Sequence, residues 1–300
     1  MTILILAAVV VAANPAASQQ PVRNRADWIA QAKSGFTVPA GRTALDELVE
    51  MNPLLASDDP VLRDDVAYSA AERWILRDRK LSPADLRQML RIWSGNLDDG
   101  LGEVGGSRVF KRSFSALCLS LIAAADVSAP FLDPPELRAF FDRMLDYFQR
   151  ERDLRGFDPV HGWMHTVAHT SDALKFLMRN PKLAPGSDAR LLSAMRAKIE
   201  SSDAVFVWGE NNRMALAIQS AVRRADADAA SLAEWTQSWV KAYQMLWQNG
   251  PQVDSRRFAV VENASQIMRS LLAALSTESA PTPAGEAARQ ILIATLAKMR

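Results

Sequence analysis

Imidazole, phenol and thiol are all scarce in this chain of 300 residues, which holds three histidines, three tyrosines and one cysteine. A single cysteine cannot close an internal disulfide, so a disulfide-stapled fold is excluded. Its setting, "FSALCLSLIAAA", reads Cys118 as a small buried hydrophobe rather than a nucleophile. Charge of one sign is lacking too: 35 basic and 34 acidic residues leave a net charge of +1 with no long run of either. Nucleic-acid binding needs a concentrated basic surface, and that class is excluded. Alternating β-type patterns are almost absent. The nearest, "DAVFVW" at 203–208, is short and reads as a loop entering a helix. No Pro/Gly/Ser-rich linker divides the chain, and "LDDGLGEVGGSRVF" (97–110) reads as one long loop.

The longest apolar run, Ile3–Ala13, is shorter than the roughly 20 residues a membrane span requires, so no transmembrane anchor is expected. Within "MTILILAAVVVAANPAASQQ" it reads as the core of a secretory signal, with Ala16 and Ser18 suiting a cleavage site. Residues 1–18 are therefore expected to be a signal peptide, and residues 19–300 a single exported domain, periplasmic or secreted. No Lys or Arg precedes the run, and the alternative is a cytoplasmic protein with an apolar first helix.

What is abundant is helix punctuation. Asp59-Pro60, Ser82-Pro83, Asp133-Pro134, Asp158-Pro159 and Thr282-Pro283 each place a capping oxygen before a proline. At the first helical position the missing N–H costs nothing. Asp133 and Glu136 also make a capping box. Amphipathic stretches run between these starts. About a dozen helices joined by short loops predict an all-α fold of stacked antiparallel helical hairpins. Their pairing at roughly 45 residues suits a HEAT- or armadillo-like superhelix, or a closed helical toroid.

Every histidine falls in "HGWMHTVAHTSD", residues 161–172. With Gly156 ending the preceding helix as a C′ glycine and Asp158-Pro159 starting the next, a helical wheel predicts one polar stripe. It would carry His161, His165, His169 and Asp172, opposite an apolar face of Trp163, Val167, Leu174 and Met178. Trp163 is expected to be a core anchor. Gly162, within the first turns, weakens that helix by about 1 kcal/mol against alanine.

Three chemistries compete. His165 and His169, four apart, could share a divalent transition metal as i,i+4 pairs do in zinc sites, with Asp172 or Glu210 as a third ligand. Alternatively Asp172 orients His169, and a neutral His161 near the helix start accepts a proton. The third is plain hydrogen bonding across an interhelical groove.

The run "ERDLRGFDPVHGWMHTVAHTSDALKFL" resembles the signature of a bacterial family catalogued as domain of unknown function 2785. "LRDDVAY" (62–68), "VFKRSFSALCL" (109–119) and "GENNRMALAI" (209–218) are similar to its other segments, so the likeness spans about residues 45 to 220. The resemblance implies an all-helical fold and a site at Arg155, Gly156, Gly162, Trp163, His165, His169 and Asp172. Arg112, Ser113, Glu210 and Arg213 match outlying motifs, and His161 fits less clearly. No activity is implied. If Arg112, Arg155 and Arg213 meet the histidine helix, they would hold a carboxylate or phosphate; otherwise they form interhelical ion pairs.

Two functions are expected to compete. One is an exported helical-repeat protein that binds a small molecule, peptide or protein in a groove lined by the histidine helix. The other is a hydrolase-type enzyme, with or without a metal, centred on His165, His169 and Asp172.

Overall fold

Proline at the first position opens three of the α-helices among the described residues. The computed structural model describes residues 23–248 and 252–299; the expected signal segment lies outside them. Twelve α-helices are present among these residues: α1 (Arg25–Lys33), α2 (Ala44–Met51), α3 (Ser69–Glu72), α4 (Pro83–Asn96), α5 (Arg108–Ser128), α6 (Pro134–Arg150), α7 (Thr166–Arg179), α8 (Ser187–Glu200), α9 (Glu210–Val222), α10 (Ala229–Leu246), α11 (Ser255–Ser276) and α12 (Pro283–Leu296). Wider helical turns, Val61–Tyr68 and Arg73–Arg77, flank the short α3 and join it into one longer helical stretch. The only strands among the described residues are β1 (Phe157–Asp158) and β2 (Gly162–Trp163), an antiparallel pair. The chain is all-α. None of the described helices is long and apolar enough to cross a membrane.

Four of the five expected Xaa-Pro starts cap helices. Ser82 and Asp133 close capping boxes with Asp85 and Glu136. Thr282 accepts from Gly285 N, and Asp59 from Val61 N. The fifth, Asp158-Pro159, does not, for a reason that belongs to the histidine segment below.

Side-chain bridges give the order of the inner layer. Ser113 meets His169 and Asp126 meets Asn180, so α5 and α7 run parallel. Asp172 meets Arg213 and Arg179 meets Ser220, which sets α7 parallel to α9. Asn211 meets Gln266 and Gln219 reaches the Ala274 carbonyl, which sets α9 parallel to α11. Helices α6, α8, α10 and α12 return between them and pack on one another as a second layer. The core runs between the layers through Trp74, Trp93, Phe141, Phe148, Leu174, Met195 and Trp239. Burying such aromatic and aliphatic side chains stabilises by about 1.5–3 kcal/mol each.

Parallel inner helices have one consequence for function. The N-terminal ends of α5, α7 and α9 lie side by side, and the segments entering them (97–107, 151–165 and 201–209) gather at that end of the molecule.

Candidate functional site

The histidine segment does not begin as a helix. Helix α6 stops at Arg150, and Glu151 turns extended at its C-cap. The Arg112 guanidinium holds Glu151 there through two contacts, Nε to Oε2 at 2.6 Å and Nη2 to Oε1 at 3.0 Å. Glu151 Oε1 also accepts the backbone N–H groups of Arg152 and Asp153. Arg112 is 1% exposed, and its Nη1 donates to the carbonyls of Asp99 and Gly100. It fixes the 97–107 loop to the end of α6 and is not a groove residue. Arg155 is likewise engaged, on Asp153 and on the Gly106 carbonyl.

Asp158 spends its capping oxygen on a turn. Its Oδ1 accepts from Val160 N, His161 N and His161 Nδ1 at 2.8–2.9 Å, closing the loop between β1 and β2. This local Asx-type bonding competes with helix formation and wins here. His161 therefore sits on a hairpin turn, apart from His165 and His169, and the four-residue polar stripe does not form. Gly162, at φ +75°, occupies a conformation that favours glycine, and a Cβ there would lie 3.2 Å from Arg63 Nη2. Arg63 is fully buried over the Phe110 and Phe114 rings, at 4.1 and 4.7 Å, and donates to the His161 carbonyl.

Gly156 is not a C′ glycine either. The indole of Trp208 and the Glu210 carboxylate lie so close that a Cβ would meet them at 2.1 and 2.8 Å.

Helix α7 starts after His165, whose φ of +53° puts a non-glycine residue in the left-handed region. Such a conformation costs on the order of 1–2 kcal/mol. Two bonds hold it: His165 N donates to the Arg155 carbonyl, and Nε2 lies 2.9 Å from the Trp208 carbonyl. A carbonyl only accepts, so Nε2 carries the proton and Nδ1 is a bare acceptor. Burial lowers the His165 pKa, outweighing the Glu210 carboxylate 3.9 Å from Nε2. A helix N-terminus disfavours imidazolium as well.

His169, one turn on, is buried edge-on against Phe114, with ring centroids 5.0 Å apart. Its Nδ1 is 2.8 Å from Ser113 Oγ, which donates its one proton to the Met164 carbonyl. Ser113 must then accept from Nδ1, and Nε2 of His169 is left unprotonated. Burial, reinforced by the neighbouring His165, drives the His169 pKa down to about 3. Two neutral rings with centroids 5.5 Å apart thus each keep one bare nitrogen.

Asp172 is not the group that orients His169. Its two oxygens go to Lys175 Nζ at 2.8 Å and Arg213 Nη1 at 2.6 Å, tying α7 to α9. Glu210 opens α9 and accepts from Trp208 N at 2.8 Å. Among the described residues no three of His, Cys, Asp and Glu converge as a metal-ligand set.

Trp163 is the largest departure from expectation. It is 38% exposed rather than a core anchor, because it lies on β2 outside the helix. Its ring stacks on His165, with centroids 4.8 Å apart, and meets Phe157 at 4.8 Å and Trp208 at 6.1 Å. Phe157 and Trp208 are 37% and 45% exposed. Behind Trp208, Val104, Arg155, Gly156 and Glu210 line an open cavity of about 380 Å³.

The structure thus gathers Trp163, His165, His169, Asp172, Glu210 and Arg213 at one end, and leaves His161, Arg112 and Arg155 in supporting contacts. Phe157 and Trp208 were not legible as site residues. Their one signal is that large aromatics stand in loops just before helix starts, where a core role is hard to place.

Neither a curated protein nor a solved structure matches the chain. One family model does, over residues 97–273, which includes α5, α7, α9 and the site segments but not the "LRDDVAY" segment. With more than half its length matched, the chain belongs to the family described as Protein of unknown function (DUF2785).

Proposed function

We propose that residues 19–300 make up an exported helical-repeat binding protein, its two layers of helices forming a HEAT- or armadillo-like superhelix. It takes its ligand at the N-terminal end of α7 and α9, against the face of Phe157, Trp163 and Trp208. Parallel inner helices with return helices between them support the repeat reading, because such stacks present broad surfaces built from successive units. The signal-like first 18 residues support export.

The observation that carries the binding reading is the exposed aromatic triad. Three large rings in mutual contact sit in water although the same chain buries Trp74, Trp93 and Trp239. Clustered exposed apolar rings beside bare hydrogen-bond acceptors are the usual make-up of a recognition surface. The test is a thermal-shift and tryptophan-fluorescence screen of small molecules, glycans and peptides against wild type, W163A and W208A. Ligands that stabilise wild type and not the variants are expected. A hit list unaffected by either substitution overturns the reading.

A hydrolytic reading has one observation in its favour, the bare Nε2 of His169 beside His165, which can accept a hydrogen bond from a water and orient it. It predicts a turnover that H169Q abolishes while the fold persists. Binding without turnover across a panel of esters, amides and glycosides counts against it.

A further inference from the structure

We infer that the strip between α7 and α9, beyond the histidines, binds the carboxylates of an acidic oligosaccharide whose rings stack on the Trp163–Trp208 face. This rests on the binding reading above and names its ligand class.

Among the described residues four cations line the strip: Lys175 and Arg179 on α7, Arg213 on α9, and Arg223 at the C-cap of α9. Two carboxylates are set among them in the described residues: Asp172, shared between Lys175 and Arg213, and Glu278, beside Arg223. Arg223 reaches Glu278 only at 3.6 Å. Arg179 has no carboxylate within ion-pair distance among the described residues. Its Nε donates to Ser220 Oγ at 3.2 Å, and its guanidinium lies 5.2 Å from the Phe176 ring. Burial, and then repulsion from Arg223, push its pKa below the ordinary arginine value. A partly desolvated guanidinium beside a second one favours any arriving anion. Arg213 and Arg223 have side chains 45% exposed and are open to it.

The arrangement is a line rather than a point. Arg213 and Arg223 are about 15 Å apart along α9, at 1.5 Å per residue. A single phosphate would use one end, whereas a chain bearing repeated anions uses the whole strip. The guanidinium fork matches planar carboxylates bidentately.

At the N-terminal end of the same two helices stand the exposed indoles, Trp163 stacked by one face on His165 and Trp208 nearly perpendicular to it, so that successive sugar rings would meet one indole each. Between them the bare Nδ1 of His165 and Nε2 of His169 accept from hydroxyl groups, the donors a sugar has in abundance. An extended acidic peptide would want backbone partners, and the described residues offer it no sheet edge beyond a two-residue hairpin.

The test is isothermal titration with parallel tryptophan fluorescence on the full chain. The probes are uronic-acid tetramers of several linkages, a neutral tetramer, and a glutamate-rich peptide of matched charge. The variants are W163A and R179A/R223A, each checked for native helicity. Expected is uronate binding that perturbs tryptophan emission, weakens with salt, and falls at least tenfold in R179A/R223A and in W163A.

Uronate binding untouched in R179A/R223A overturns the inference, as does peptide binding of equal strength. Neutral-sugar binding that is lost in W163A and kept in R179A/R223A overturns the acidic assignment while leaving the binding reading standing. If no probe of any linkage or charge binds, the inference fails; if binding depends on the arginines but not on Trp163, it fails together with the aromatic-face reading.

Discussion

The Trp208 indole lies directly over Gly156, so close that a Cβ at Gly156 would stand 2.1 Å from the ring. The glycine's role here is space, and it ties the loop before α9 to the segment before β1. G156A should push the indole off its seat and disturb Glu210 beneath it. The expected cost is about 1–3 kcal/mol, the range for an overpacked contact. A shift in tryptophan emission should accompany the lowered denaturation midpoint, and unchanged emission would contradict this account of the aromatic cluster.

His169 makes stability pH-dependent with a defined sign. Its folded pKa, about 3, lies below the ordinary histidine value near 6.5. Between those values the unfolded chain binds the extra proton, so stability is complete above about pH 6.5 and declines as pH falls toward 3. His165, also lowered by burial, adds in the same direction. In H169Q the decline between pH 6.5 and 4.5 should be shallower than in wild type, although the variant is less stable at pH 7. Urea midpoints across that interval decide; equal slopes would remove His169 as a source.

Two arginines placed together by sequence pattern should behave very differently. Arg112 is enclosed with Glu151, and R112A leaves a buried carboxylate without its partner, at a cost of about 3–5 kcal/mol. Arg213 is 45% exposed, and Asp172 keeps Lys175 when it is removed. R213A should lose no more than about 1 kcal/mol. Comparable losses in denaturant would mean that the burial described for Arg112 is wrong.

The hairpin histidine is separable from the other two. His161 bonds within its own turn and lies 6.3 Å, centroid to centroid, from Phe110. H161A should change stability by about 0.5 kcal/mol or less, the range for exposed positions. It should leave ligand binding intact, whereas H165A removes the bond to Trp208 and weakens it. Matching losses in H161A and H165A would restore a three-histidine stripe.

Helical class, helix starts and the family were legible in the chain because they rest on local chemistry. Ser82, Asp133 and Thr282 cap helices with the backbone a few residues away, and nothing distant can easily overrule them. The segment 151–165 was misread for the same reason. Asp158-Pro159 carries an identical local signal, but Arg112 and Arg63, 39 and 98 residues away from Glu151 and His161, hold the chain extended and turned. With the helix start moved to Thr166, the wheel that put Trp163 in the core and His161 beside His165 no longer applied.

The amino-acid sequence by itself thus determined an all-α chain, four of its helix starts, and the neighbourhood in which scarce histidines collect. Only the tertiary structure decided which groups meet there. Ser113 orients His169, Trp208 covers Gly156, Asp172 binds Arg213, and Arg179 is left without an ion-paired carboxylate among the described residues. Each of these depends on parallel helices brought side by side, and contacts across helices leave no periodic trace along the chain.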